Sequence, residues 1–210
     1  MNKPTLIWDL DGTLLDSYGV IVPSLYQVYK EEGVELDQEQ IFKESIIFSV
    51  GYMIKRLEEE TGISFERLKH RYSEISGARL KDIKLVPHAL EVLDYLESEG
   101  IHSFVITHRG VTTESVLINT GIITYFDEII SSMNGFPRKP DPTSALYLIE
   151  KYDLDKENTY YIGDRTLDVE FAVNAGIKSI LYLPDINPTV PTGKETYIVK
   201  SLLDITSIIH

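Results

Sequence analysis

The chain contains no cysteine, which excludes disulfide staples and thiolate zinc sites and suits a reducing compartment. Long apolar runs are also missing. The first short one follows Met1-Asn2-Lys3-Pro4 and stops at Asp9, too short for a signal-peptide core or a membrane span, so the expected location is cytoplasmic and no membrane is expected as a partner. Positive charge is scarce: 20 Lys and Arg against 33 Asp and Glu leave a formal net charge of −13. That field repels a phosphate backbone and argues against nucleic acid as a partner. There is no internal repeat and no low-complexity tract. What remains is an ordinary globular composition, 43% hydrophobic and 25% charged over 210 residues, enough for one substantial core with a smaller module set into it.

Residues 5–8 are a short apolar run with β-formers, bounded by Pro4 and the turn at residues 9–12, as a buried strand would be. From Ser17 to Lys81 the apolar residues keep helical spacing, as at Leu25, Val28 and Tyr29, at Ile41, Ile46 and Ile47, and at Leu68 and Tyr72, so this stretch is expected to be helix and turn. After Pro87 the pattern alternates. Helices are expected at 89–99, from about 112, at 142–152 and near 167–174, and strands at 102–106, 128–131, 159–162 and 178–183. Such alternation implies a doubly wound parallel α/β sheet formed by residues 1–15 and 85–210, with a helical insertion at 16–84. The insertion is rooted at the carboxyl end of the first strand, where ligands of such sheets bind. It reads as a lid hinging near residues 15–17 and 84–87, with a stabilising subdomain as the plainer alternative. Residues 184–195 read as a surface loop.

Asp9-Leu10-Asp11-Gly12-Thr13 places two carboxylates one residue apart beyond a buried strand. Two like charges there call for a compensating cation, and a hard, oxygen-liganded metal such as magnesium is the simplest one. The competing view is an acidic turn with Asp11 capping the next helix. Asp164 and Asp168, four apart at the start of a helix, can face the same way and would join the first pair on one sheet edge. Asp164 could equally be a helix N-cap. Thr107, His108 and Arg109 follow another strand and offer donors for a phosphoryl group. His108 suggests general-base catalysis, but a histidine in a polar turn is more often a surface or substrate-contact residue, and no catalytic role is assigned to it. In Arg138-Lys139-Pro140-Asp141-Pro142, Lys139 could offset charge on a transferring phosphoryl group, or the segment could be a surface turn.

Taken together and in this order, these four elements resemble the haloacid dehalogenase (HAD) superfamily. Within it they are similar to the phosphoglycolate-phosphatase-like branch, which has a helical cap after the first strand. The match spans nearly the whole chain. It implies a Rossmann-like core and an Mg2+-dependent phosphatase that hydrolyses a small phosphorylated metabolite through an aspartyl phosphate. On that resemblance Asp9 is the nucleophile and Asp11 the general acid and base. Asp9, Asp11 through its main-chain carbonyl, and Asp164 are the magnesium ligands, with Asp168 supporting them. Thr107 and Lys139 hold the phosphoryl oxygens. Thr13, His108 and Arg109 are candidate substrate contacts in the core, and Gly51 and Tyr52, in a supposed loop at 48–52, are candidates in the cap.

Departures from the family pattern carry information. His108 stands where a small or amide residue is common, which leaves the substrate open. Asp11 argues against carbon–halogen cleavage, which proceeds without that aspartate. It also argues against carbon–phosphorus cleavage through an imine on Lys55, which leaves Lys55 a solvated helix residue. Sugar phosphomutases carry a histidine early in the first cap helix, where this chain has Val20 and Ile21. A mutase is therefore the weaker enzymatic alternative, and a non-enzymatic binding protein, which would have no need of Asp11, is the alternative from another class.

Overall fold

The computed structural model describes residues 3–209; residues 1, 2 and 210, the expected ends of the core, lie outside the described residues. The chain begins with β1 (Thr5–Trp8) and β2 (Leu15–Asp16), followed by helices α1 (Tyr18–Glu31), α2 (Gln38–Ile47), α3 (Val50–Thr61) and α4 (Phe65–Ala78). It continues through β3 (Lys84–Leu85), α5 (Ala89–Ser98), β4 (His102–Ile106), α6 (Thr113–Asn119), β5 (Glu128–Ile130) and α7 (Thr143–Tyr152). The last elements are β6 (Thr159–Gly163), α8 (Thr166–Ala175), β7 (Lys178–Tyr182), β8 (Tyr197–Val199) and α9 (Asp204–Ile208). Two compact units result: residues 1–16 with 85–210, and residues 17–84.

In the first unit six parallel strands lie in the order β5-β4-β1-β6-β7-β8. β1 pairs on one side with β4, Ile7 opposite Phe104, and on the other with β6, Ile7 opposite Tyr161. A parallel sheet is covered on both faces, so its central strands are continuous apolar runs and not alternating ones. All four residues of β1 and all five of β6 are buried. Ile7, Phe104, Ile106 and Tyr161 pack one face against Leu148 of α7 and Phe171, Ala172 and Ala175 of α8. Their neighbours in sequence, Leu6, Trp8, Val105 and Ile162, project to the other face by the two-residue period of a strand and are equally buried. The chain starts in the sheet's middle, builds outward to β5, then returns beside β1 to build the other half. The order therefore reverses between β1 and β6, where a doubly wound sheet opens a crevice at the carboxyl ends of its strands. The observed architecture is the doubly wound parallel α/β core expected from the alternation. β8 and α9 were not foreseen.

The second unit is built from α1 to α4 around Leu25, Val28, Tyr29, Ile41, Met53, Leu57 and Leu68, with the Tyr29 hydroxyl donating to the Met53 carbonyl at 2.6 Å. Its polar face carries surface ion pairs such as Lys43–Glu39 at 2.7 Å and Arg71–Glu31 at 2.8 Å. The loop expected at residues 48–52 is shorter than supposed. Ser49, at φ 149°, turns the chain and accepts the Tyr52 N–H on its hydroxyl at 3.1 Å, so that Val50, Gly51 and Tyr52 form the first turn of α3. Among the described residues no helix is long and apolar enough to cross a membrane.

Candidate active site

β1 ends at Trp8, and the Asp9 N–H extends the pairing by donating to the Ile162 carbonyl at 2.8 Å. This anchors the Asp9 side chain at the carboxyl edge of the sheet, buried. The next residues fold back tightly: Gly12, at φ 84°, donates to the Leu15 carbonyl at 2.8 Å, and Leu14 and Leu15 both donate to the Leu10 carbonyl. A positive φ there suits glycine, which explains its place in the turn. β6 ends at Gly163, which delivers a fully buried Asp164 beside Asp9. The N-cap position of α8 belongs to Arg165, not to Asp164. It is Asp168 that turns back, accepting the Arg165 N–H at 3.1 Å. Gly163 makes room for this: a Cβ at that position would stand 2.3 Å from Asp168 Cγ. Nor does Asp11 cap the following helix, since the N-cap position of α1 lies six residues later, at Ser17.

Asp9, Asp164 and Asp168 each offer a carboxylate oxygen within 4.8 Å of the others, and all three are buried. Lys139 enters the same cluster, with its ammonium 2.6 Å from Asp168 Oδ1, 3.1 Å from Asp9 Oδ1 and 2.7 Å from the Tyr161 hydroxyl. The tyrosine hydroxyl in turn donates a hydrogen bond to the Ile106 carbonyl at 2.8 Å, so all three lysine donors are directed. Burial works against the lysine charge, but Asp168 and Asp9 outweigh it and hold its pKa above the ordinary value. Burial pushes Asp9 up to about 6, with Lys139 opposing and Asp168 and Asp11 adding to the rise. Asp164 is driven well above the carboxylate range by burial first, then by Asp168 and Asp9. One buried ammonium thus faces three buried carboxylates. This surplus of negative charge, presented on hard oxygen donors, fits a divalent cation such as magnesium.

The remaining predicted residues surround this cluster. Thr107 is buried just past β4, its N–H on the Ile130 carbonyl at 2.9 Å and its hydroxyl oxygen accepting the Arg109 N–H at 3.2 Å. The Arg109 guanidinium grips the Asp11 carboxylate through both Nε, at 3.1 Å, and Nη2. Asp11 is therefore drawn toward Arg109, and its side chain is not one of the three clustered carboxylates. His108 Nε2 accepts the Lys139 N–H at 2.9 Å, which places its proton on Nδ1. Burial, then Lys139, Arg138 and Arg165, push its pKa down to about 3, so it stays neutral and ties the turn after β4 to the segment that carries Lys139. Thr13 is fully buried with its hydroxyl 3.4 Å from Asp164 Oδ1. Gly51 and Tyr52 lie in α3 of the second unit, Tyr52 half exposed and ring-packed on Phe48. Lys55 is solvent-exposed beside Glu58. A cleft of about 200 Å³ opens beside Thr107, His108 and Lys139, with Ser131, Ser132 and Arg138 on its walls.

Sequence reasoning missed Tyr161, Asn187 and Thr189. Only the first gave a signal: a hydroxyl in the middle of a fully buried strand must find a partner.

The family profile described as haloacid dehalogenase-like hydrolase matches residues 6–182. The chain is 26% identical over 184 residues to a phosphoglycolate phosphatase from Aquifex aeolicus, covering 85% of this chain and 84% of that one. It is 24% identical over 214 residues to the pyrophosphatase PpaX from Oceanobacillus iheyensis, covering 100% and 98%. Its fold matches the crystal structure of a predicted phosphoglycolate phosphatase from Haemophilus somnus with a TM-score of 0.85 at 22% identity, over 99% and 98% of the two chains. With the motifs at one sheet edge and the profile spanning most of the sequence, this chain belongs to the haloacid dehalogenase-like hydrolases, in their phosphoglycolate-phosphatase-like branch.

Proposed function

We propose that this protein is a magnesium-dependent phosphatase of small phosphomonoesters, working through an aspartyl phosphate on Asp9. The observation that carries this reading is the Lys139 ammonium held between Asp9 and Asp168, with Asp164 alongside. Phosphoryl transfer needs positioning and charge neutralisation more than elaborate covalent chemistry. A buried lysine against a buried carboxylate nucleophile supplies both.

In this scheme an Asp9 oxygen attacks phosphorus and the ester P–O bond breaks, with Asp11 giving its proton to the departing alkoxide. Water then attacks the phosphorus of the acyl phosphate, Asp11 takes that water's proton, and the bond from phosphorus to Asp9 breaks to free phosphate. Lys139 opposes the rise that burial causes in the Asp9 pKa, which favours the ionised nucleophile. Lys139 neutralises charge on the phosphoryl oxygens, Asp168 and Tyr161 hold its ammonium in place, and Thr107 donates its hydroxyl. The carboxylates of Asp9, Asp164 and Asp168, with the main-chain carbonyl of Asp11, are the groups to hold Mg2+, which when bound supplies further charge neutralisation. We assign Thr13 to supporting Asp164, and His108 to holding Lys139, in place of the direct substrate contacts first expected of them. Residues 17–84 are assigned as the cap, with Phe48 and Tyr52 as its selecting side chains. Phosphoglycolate heads the phosphomonoesters to try and pyrophosphate, a phosphoanhydride, is tried beside them, since relatives are named for these substrates. Val20 and Ile21 carry no titratable group, which favours a hydrolase over a mutase.

Uncatalysed monoester hydrolysis is slow enough that enzymes accelerate it by up to about 10²¹-fold, so loss of the nucleophile should abolish turnover. The test is phosphate release from a panel of small phosphomonoesters, with magnesium and with chelator, for wild type and Asp9→Asn. Magnesium-dependent release that vanishes in the variant is expected. Release that survives Asp9→Asn, or none from any ester, would contradict the proposal.

A further inference from the structure

The loop between β7 and β8 holds two residues that reach the acidic cluster. The Asn187 N–H donates to the Pro184 carbonyl at 2.8 Å, closing a turn. Asn187 Oδ1 accepts the Thr189 N–H at 2.8 Å, which fixes the edge of the amide that carries its donors. Nδ2 then donates to the main-chain carbonyl of Asp164 at 3.0 Å and lies 3.4 Å from Asp164 Oδ2. Thr189, itself buried, donates its hydroxyl to the same carbonyl at 3.0 Å. On the far side the Thr13 hydroxyl stands 3.4 Å from Asp164 Oδ1.

The two 3.0 Å bonds are of full strength, whereas contacts at 3.4 Å are weak. The loop therefore fixes chiefly the backbone from which the carboxylate projects, and only biases the carboxylate's rotation. All these donors are neutral. Unlike the ammonium that Lys139 presents to Asp168, they orient Asp164 without cancelling its charge, as partners of a cation ligand should. No local motif encodes the arrangement, since Asn187 and Thr189 lie 23 and 25 residues from Asp164 in the chain.

We infer that Asn187, seconded by Thr189, is a positioning residue for Asp164, and that this loop sets the protein's affinity for its divalent cation. The inference rests on the proposed reading of Asp9, Asp164 and Asp168 as a magnesium site. Its test needs no turnover. Substrate-free protein is titrated with Mn2+ as a hard divalent probe, the free ion is counted by electron paramagnetic resonance, and Mg2+ competition is measured on the same samples. Wild type, Asp164→Asn, Asn187→Leu and Thr189→Val are compared, with thermal unfolding of the cation-free proteins alongside. Partners of metal ligands typically contribute about 10–100-fold in affinity. Asn187→Leu is expected at the lower end of that range and Thr189→Val at a few-fold, both with unfolding close to wild type. Wild-type affinity in a folded Asn187→Leu would overturn the inference. Should that variant fail to fold, an unshifted Thr189→Val, which keeps the main-chain bond to Asn187, would overturn it equally. If wild type and Asp164→Asn bind Mn2+ alike, the cation site itself is lost, and the proposed function fails along with the inference.

Discussion

The two compact units treat charge in opposite ways. Among the described residues the buried charged side chains are Asp9, Lys139, Asp164 and Asp168, and all four belong to the first unit, where β1 and β6 end. The second unit buries serines but no charged group, and its acids and bases pair on the surface. Burying an ionised group is costly unless its partners are well placed, and an apolar replacement would usually serve stability as well or better. Charge concentrated at one sheet edge is therefore better explained by chemistry than by folding, while the helical unit needs only amphipathic packing.

Removing Lys139 should probe the difference most severely. Lys139→Ala leaves Asp9 and Asp168 buried without their ammonium, a type of change that destabilises by about 3–5 kcal/mol, and it should cripple turnover as well. Burial already raises the Asp9 pKa and Lys139 opposes that rise, so without the lysine Asp9 rises further and the folded variant takes up a proton there before the unfolded chain does. The deficit should accordingly narrow as pH falls. Urea unfolding at several pH values checks this, and a deficit that widens on acidification would contradict it. In the second unit the largest effect should come from apolar volume. Leu57 is fully buried, and Leu57→Ala is expected to lower stability by about 2–5 kcal/mol with no pH dependence of its own and no change in Mn2+ binding. Surface pairs should matter least. Arg71 holds Glu31 down to about 2, yet both are solvent-screened, and exposed pairs contribute little. Arg71→Ala should leave the urea midpoint within error of wild type, and a clear shift there would break the contrast between the units.

Much of this was legible in the sequence, for identifiable reasons. β1, β4, β6 and β7 are strands buried on both faces, and such strands leave uninterrupted apolar runs between turn residues. β8 is three residues long with two of them exposed, and α9 spans five; neither carries enough periodicity to stand out. At the site, the residues could be named but not their partners. Local rules allowed Asp164 to be a helix cap, but the N-cap position of α8 falls on Arg165 and Asp168 takes its N–H, which leaves Asp164 to partners as distant in sequence as Thr13 and Asn187. Residues 184–195 looked like a solvent loop because a lone Asn and a lone Thr among prolines give no sign of what they will touch. Likewise His108 read as a ligand contact, since nothing nearby in sequence shows that the Lys139 N–H will claim its ring nitrogen.

The most direct test of the account is whether phosphate becomes covalently attached to Asp9. Wild-type enzyme and a turned-over phosphomonoester would be quenched in acid during steady-state turnover with magnesium, and the peptides mapped by mass spectrometry. The account predicts one phosphoryl group on the peptide containing Asp9, localised to that residue and absent from Asp9→Asn. Active enzyme quenched under the same conditions with its phosphoryl group on a different side chain would contradict it.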